Sequence, residues 1–329
     1  MTYYGGKTLL AERIGELLPD HGHYVEPFAG SLAVLLAKQP SRMETVNDLD
    51  GDLMCFWKVL RDRPEDLARV CALTPHSRAE HDAAYGVLSG LDDLERARRV
   101  WVRLTQGRAG TLRRTGWRHY VDAGTSSTSM PRYLAGYLER MLPAAERLAD
   151  VSLECRPALE LIAAYGRHRS VLLYVDPPYL GGIRDRNYRH EMTAQADHRE
   201  LAAALHACRA TVVLSGYASD LYDRELYPDW HRYELAATTG NASGGDRDRV
   251  EVLWSNRPLR AEVPLLLDLG NETPADDTPE TAACNETLCE ADGCGLTVRQ
   301  PTTGRRRRYC STACRVAAHR SAKTATTAA

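Results

Sequence analysis

No stretch of this 329-residue sequence stays apolar for long enough to span a bilayer. Its opening, Met1-Thr2-Tyr3-Tyr4-Gly5-Gly6-Lys7, is polar and Gly-rich and lacks the apolar core of a signal peptide, so a cytoplasmic protein with no membrane partner is expected. Excess positive charge is missing as well. Lys and Arg number 42 against 44 Asp and Glu, a formal net charge of −2, and bulk charge therefore announces no nucleic-acid partner. His190-Glu191 followed by His198 lacks the H-E-x-x-H spacing of a metalloprotease, and His21, His23, His168 and His206 show no ligand spacing. Neither a nucleophilic triad nor an internal repeat is visible. These absences give no support to a membrane-spanning helix, to zinc proteolysis of that type or to triad-based hydrolysis.

What is present fits a core-forming protein: 43% hydrophobic and 26% charged residues, and enough length for one sizeable α/β domain plus something smaller. Phosphate binding must come from local patches. One runs from Arg96 to Arg118, with Arg98, Arg99, Arg103, Arg108, Arg113 and Arg114 between and Trp101 and Trp117 interleaved. Leu91 to Leu104 looks helical, where a charge run is ordinarily a solvated face, but the arginines continue past Gly107 and Gly110 into a loop. The other patch is Arg305 to Arg308. Candidate DNA contacts are Arg103, Arg108, Arg113, Arg114, Arg306 and Arg307.

Hydrophobic periodicity divides the chain into pieces. Residues 1–60 alternate helix and strand: an apolar stripe through Leu9, Leu10, Ile14, Leu17 and Leu18 with Thr8 as N-cap, a strand at Tyr24-Val25, a helix from Leu32 to Lys38, and a strand around Thr45-Val46. Residues 61–150 are helical and Arg-rich, interrupted by a Gly/Ser/Thr segment from Gly124 to Ser129. Residues 151–262 resume the alternation, with strands at Val171–Val175, Thr211–Leu214 and Val250–Trp254 and a helix from Thr193 to Cys208. One sheet domain interrupted by a helical insertion is the simplest arrangement. Residues 263–283 are acidic with Thr, Pro and Ala and read as a linker, 284–320 form a cysteine-rich module, and 321–329 a frayed tail.

The strongest chemical signal is Asp176-Pro177-Pro178-Tyr179, directly after an apolar run typical of a strand buried on both faces. Ligands of open α/β sheets bind beyond the carboxyl ends of the strands. The prolines fix the backbone and remove donors, leaving carbonyls free to point into a pocket. An acid and a rigid carbonyl can together accept both hydrogens of a planar amine, which turns its lone pair out of conjugation. Tyr179 offers a flat face for a base. A second signal, Val25-Glu26-Pro27-Phe28-Ala29-Gly30-Ser31, reads as strand, tight Gly turn and helix, a nucleotide-type crevice. Asp48 ends the next strand, eighteen residues after Gly30, where an acid accepts hydrogen bonds from ribose hydroxyls. Asp50 and Asp52 read as surface acids.

Of nine cysteines, Cys55, Cys71, Cys155 and Cys208 are scattered through apolar surroundings and read as reduced, buried thiols. The other five crowd between Cys284 and Cys314. Cys289-x4-Cys294 and Cys310-x3-Cys314, fifteen residues apart, fit a structural zinc site with four thiolates, Cys284 and His319 being alternates.

Asp176-Pro177-Pro178-Tyr179 resembles the DPPY motif of amino-methyltransferases that act on adenine N6 and, less closely, cytosine N4. Phe28-Ala29-Gly30-Ser31-Leu32 resembles their F-x-G-x-G motif, with Leu32 where the second glycine is usual. Tyr3-Tyr4-Gly5-Gly6-Lys7 resembles the W-x-G-G-K segment of Dam-type enzymes. The order of these motifs around a long helical insertion is similar to the Dam-type N6-adenine-specific DNA methyltransferase family, from Met1 to about Leu259. Relatives often carry an acid near Pro157 that helps hold the cofactor's adenine; Cys155-Arg156-Pro157-Ala158 has none. The resemblance implies a Rossmann-like methyltransferase sheet with a target-recognition insertion. It implies S-adenosylmethionine held by Tyr3, Gly6, Lys7, Pro27, Phe28, Gly30, Ser31 and Asp48, and methylation of a flipped adenine in double-stranded DNA by Asp176, Pro177, Pro178 and Tyr179. A restriction endonuclease partner would be of unknown identity. Tyr309-Cys310-Ser311-Thr312-Ala313-Cys314-Arg315 resembles the Y-C-S-x-x-C-R half of treble-clef-like fingers. The rival readings are cytosine-N4 methylation and an inactive zinc-finger DNA binder.

Overall fold

The structure, a computed structural model, describes residues 7–108, 110–122, 128–179, 192, 194–235, 250–260, 286–289, 294, 297–299, 308–309 and 314. It divides into two compact units, Met1–Pro264 and Leu265–Ala329.

The first unit is built on seven strands: β1 (His23–Glu26), β2 (Met43–Asn47), β3 (Val151–Glu154), β4 (Val171–Val175), β5 (Thr211–Tyr217), β6 (His231–Leu235) and β7 (Glu251–Ser255). They lie in the order β3-β2-β1-β4-β5-β7-β6, all parallel except β7, which runs antiparallel to β5 and β6. Successive side chains of a strand face opposite ways, and here both ways are apolar. Tyr24, Leu172, Tyr174, Val213 and Leu253 enter one core. Val25, Leu173, Val175, Val212, Leu214 and Trp254 enter the other. Burial on both faces is why the strands read as continuous apolar runs. Two strands escaped the sequence reading. β6 is His-Arg-Tyr-Glu-Leu and β3 is Val-Ser-Leu-Glu, and both are edge strands, where solvent replaces one apolar neighbour.

Helices α1 (Ala11–Leu17), α2 (Ala33–Ala37), α3 (Gly51–Asp62), α4 (Pro64–Ala72), α5 (Arg78–Ala84), α6 (Asp93–Gln106), α7 (Met130–Leu138) and α8 (Met141–Leu148) cover the first face. On the second lie α9 (Ala158–Tyr165), α10 (Gln195–His206) and a π-helical turn, Leu221–Leu226. The region 61–150 thus extends the main core, with Trp101 and Leu104 of α6 fully buried. Among the described residues no helix is long and apolar enough to cross a membrane.

Three expectations are corrected. Thr8 does not cap α1: Leu10 N–H donates to the Lys7 carbonyl at 2.8 Å, a turn occupies residues 8–10, and the helix starts at Ala11. Asp50 and Asp52 are buried, not surface acids. Asp50 is the N-cap of α3 and accepts from the N–H groups of Asp52 and Leu53, while Asp52 pairs with Arg96 Nε at 2.6 Å. Cys155 is exposed, because it follows the edge strand β3, and Cys208 is half-buried; only Cys55 and Cys71 fit the expected burial.

The second unit contains an antiparallel hairpin, β8 (Glu286–Leu288) and β9 (Thr297–Arg299), with Cys289 and Val298 buried beside it. The expected linker at 263–283 and tail at 321–329 lie outside the described residues.

One buried acid couples the sheet to proton concentration. Glu26, at the end of β1, is 2% exposed; its Oε1 accepts from Tyr24 Oη at 2.5 Å and from Leu35 N–H, in α2, at 3.1 Å. Burial pushes its carboxyl from 4.5 up to about 8, against the opposing effect of those two donors. Between those values the folded chain keeps a proton that the unfolded chain releases. Stability contributed by the protonated acid is therefore complete near pH 4.5 and declines as pH rises towards 8, by at most about 1.4 kcal/mol per pH unit. Glu26→Gln should lack this decline, so urea denaturation between pH 5 and 8 should show the variant gaining on the parent as pH rises. Parallel curves would remove the assignment.

Candidate active site

The strand order reverses between β1 and β4: from β1 the chain moves outward through β2 to β3, then returns to β4 on the other side. Such a reversal opens a crevice outside the carboxyl ends of the two strands. Two of the sequence signals meet there. The Gly turn leaves β1, and Asp176-Pro177-Pro178-Tyr179 leaves β4, with both prolines buried and Asp176 and Tyr179 half-buried.

The turn is tied down by the end of β2. Ala29 N–H donates to the Asn47 carbonyl at 2.8 Å, and Asn47 Nδ2 donates to the Pro27 and Arg156 carbonyls at 2.9 and 3.0 Å. Gly30 N–H donates to Asp48 Oδ2 at 3.0 Å, and Asp50 N–H to Asp48 Oδ1 at 2.9 Å. Trp57, buried in α3, donates its indole N–H to the Gly30 carbonyl at 3.2 Å. Gly30 has φ +47° and Leu32 φ +55°. A side chain in that left-handed region costs about 1–2 kcal/mol. Leu32 offsets this cost because it is completely buried in the main core, where losing a leucine side chain costs about 2–5 kcal/mol. The departure from glycine is thus a trade of strain for packing, and the turn keeps its left-handed geometry. Phe28 is half-buried and Ser31 buried beside it.

Lys7 enters the crevice from the opposite end of the chain. Its Nζ lies 2.9 Å from Asp176 Oδ1 and 3.3 Å from Glu251 Oε1, donates to the Tyr179 hydroxyl, and sits 4.8 Å from the centre of the Tyr179 ring. Burial alone pulls the ammonium down, but the charges of Asp176 and Glu251 outweigh it and hold Lys7 above its ordinary range. Tyr179 packs against Tyr217 at the end of β5, ring centres 4.6 Å apart. Glu251, at the start of β7, is buried and its carboxyl is raised, by burial first and by Asp176. Sequence reading missed Asn47, Trp57 and Glu251. Each sat inside an ordinary apolar element, and the only signal was a polar group at a position the strand or helix pattern assigns to the core.

Tyr3 and Gly6 lie outside the described residues, as do Cys310, Arg306, Arg307 and the alternates Cys284 and His319. Of the zinc candidates, Cys289, Cys294 and Cys314 bring their sulfurs within 4.8 Å of one another, with Cys294 and Cys314 3.6 Å apart. Of the DNA candidates, Arg103 is corrected. It is 2% exposed; its Nε donates to the Ala84 carbonyl at 2.7 Å and its guanidinium lies 5.1 Å from the Tyr85 ring, so it caps the carboxyl end of α5 and does not face solvent. Arg108 and Arg114 are exposed and Arg113 is half-buried, on a loop closed by a bridge between Gly107 and Trp117. Trp117 stacks between His76 and His119, at 4.5 and 4.9 Å.

Residues 3–107 match the family model of the D12 class N6 adenine-specific DNA methyltransferases. A search of curated proteins finds no match. The matched stretch holds Lys7, the turn from Pro27 to Ser31 and Asp48; Asp176-Pro177-Pro178-Tyr179 follows beyond it. Methyl transfer in that family implies S-adenosylmethionine as donor and DNA as acceptor. Through this stretch the chain is similar to the D12 class N6 adenine-specific DNA methyltransferases, a family of enzymes, and the match supports an adenine DNA methyltransferase.

Proposed function

We propose that the enzyme binds S-adenosylmethionine at the turn Pro27–Ser31 and at Asp48, and methylates N6 of an adenine flipped out of duplex DNA into the crevice beside Asp176. One observation carries this reading: Asp176 Oδ1 already accepts a hydrogen from a nitrogen, Lys7 Nζ, at 2.9 Å, beside the ring of Tyr179. An exocyclic amine asks for the same geometry. The residues present fit the donor. The turn has left-handed backbone at Gly30 and Leu32, and the Asp48 carboxylate is held at the end of β2 against the turn, by Gly30 N–H at 3.0 Å, where an acid can accept from a ribose hydroxyl.

S-adenosylmethionine, when bound, supplies an electrophilic methyl group. Extrusion is required because the amine is unreachable within the base stack. Tyr179, braced by Tyr217, stacks on the base. Asp176 accepts one amine hydrogen and the Pro177 carbonyl the other, directing the nitrogen lone pair out of the ring's π-system. Held positions and oriented acceptors supply the rate, with no covalent enzyme intermediate. Asp176→Ala should abolish transfer of labelled methyl to unmethylated genomic DNA, read as N6-methyladenine by nucleoside mass analysis, while calorimetry shows cofactor binding largely intact. Near-normal turnover in the variant would sink the mechanism.

Duplex contact falls to the loop between Gly107 and Trp117 and to Arg306 and Arg307. Arg114 forms an exposed pair with Asp82 at 2.9 Å, worth at most about 1 kcal/mol, and lies 5.9 Å from the Tyr85 ring, so a phosphate can replace the acid. Arg108→Ala with Arg114→Ala should weaken DNA binding and reduce the slope of log affinity against log salt by about 1 per lost phosphate contact. Fluorescence anisotropy across a salt series would show it, and an unchanged slope would clear the loop of that role.

Cys289, Cys294, Cys310 and Cys314 form a structural zinc site in this reading. At a zinc–sulfur distance of about 2.3 Å a tetrahedral site sets its sulfurs about 3.8 Å apart, close to the 3.6 Å between Cys294 and Cys314. Four thiolates leave no open coordination position, so the ion staples and does not catalyse. Metal analysis should find one zinc per chain, lost in Cys294→Ser without moving the melting transition of the sheet unit. A zinc-free, folded parent would remove the site.

A further inference from the structure

Lys7 stands between two carboxylates where one would neutralise it. Its side chain is 6% exposed and that of Glu251 5% exposed, with 3.3 Å between Nζ and Oε1. The same Glu251 oxygen accepts from Ser215 Oγ at 2.7 Å, and Ser215 is completely buried in β5. The residues after Glu251 in its strand, Val252, Leu253 and Trp254, are all fully buried and apolar. An acid at such a place costs several kcal/mol unless a cation holds it. Lys7 already has a closer partner in Asp176, so packing gives no reason for a second acid.

The reaction gives one. While the ammonium of Lys7 occupies Asp176 Oδ1, the target amine must compete with a full positive charge for the oxygen it needs. Driving Lys7 out into solvent would undo its burial; leaving it alone in the crevice would strand an unpaired cation. Glu251 already pairs with the ammonium at 3.3 Å, a longer contact than the 2.9 Å to Asp176, and stands on a strand whose register is fixed by pairing with β5, where Tyr217 sits opposite Glu251. We infer that Glu251, oriented by Ser215, is a positioning residue that takes over the Lys7 ammonium when the adenine amine enters, and so frees Asp176 Oδ1 to receive it. Lys7 then marks the amine position in the empty site and yields it without leaving the crevice. The inference rests on the adenine-N6 reading of the same site.

The test uses the full chain and methyl transfer to unmethylated genomic DNA. Glu251→Gln should lower turnover on the order of tenfold to a hundredfold, the scale of a misplaced reacting group, with S-adenosylmethionine binding within about threefold of the parent. Ser215→Ala, which removes only the hydroxyl that orients Glu251, should move in the same direction by less, and Glu251→Asp should recover part of the loss. In a Lys7→Met background Glu251→Gln should have no further effect, because Glu251 acts through Lys7. Parent-like turnover in Glu251→Gln, or losses that multiply in the double variant, would overturn the inference. Should Glu251→Gln fail to fold, parent-like turnover in Ser215→Ala overturns it instead. A parent enzyme that transfers no methyl group to DNA would fail the underlying reading, a result distinct from any of these.

Discussion

A buried ammonium must be paired, and the pairing of Lys7 with Asp176 joins residues 169 positions apart in the chain. The rest of the crevice follows from meeting that requirement. β4 must end just before Asp176, beside β1, where the strand order reverses. The turn from Lys7 to Leu10 must deliver the lysine before α1 begins, which explains why the helix starts at Ala11 and not after Thr8. β7 must run antiparallel between β5 and β6, with its first residue at the carboxyl end of β5, for Glu251 to reach the same ammonium. The pairing of one ammonium thus ties the ends of β4 and β7 to the N-terminal turn.

The turn after β1 is held by a different device, a knot of hydrogen bonds at the end of β2. Asn47 binds the ends of β1 and β3, and Asp48 binds the Gly30 amide. Because Trp57 reaches the Gly30 carbonyl from α3, that helix also braces the turn. The leucine at position 32 is consistent with this division of labour. Hydrogen bonds and the indole fix the backbone path, so the side chain at the left-handed position can be chosen for core packing.

Much of this was legible in the sequence, for identifiable reasons. Val171–Val175 is a strand buried on both faces, and five consecutive apolar residues followed by two prolines have few other solutions. The α6 helix was found through its periodicity. The edge strands β3 and β6 were not, because one-sided burial leaves too little apolar pattern in four or five residues. Arg103 was misjudged by its neighbours' charge. Val102, Thr105 and Gln106 are also buried, so the last turns of α6 are enclosed all round, which a one-faced helical pattern does not reveal. Lys7 was singled out by its Gly-Gly-Lys context, but its pairing with Asp176 and Glu251 depends on three distant segments closing together, for which no local pattern exists.

Arg103 and Arg114 show why counting arginines is a poor guide to DNA contact. The two lie eleven positions apart in one basic stretch, yet one is committed and the other available. Arg103 holds the carbonyl end of α5 in the interior, and extracting it would leave those carbonyls and a buried cavity without a partner. Arg114 has a solvent-screened pair with Asp82 and a distant contact with the Tyr85 ring. The loop that carries Arg108 and Arg114 is anchored by the Gly107–Trp117 bridge and by Trp117 stacked between two histidines, so its cations stand on a fixed base without being consumed by it. Under the proposed reading, a chain with net charge −2 meets a polyanion not through its sum of charges but through the few whose present partners are worth less than a phosphate.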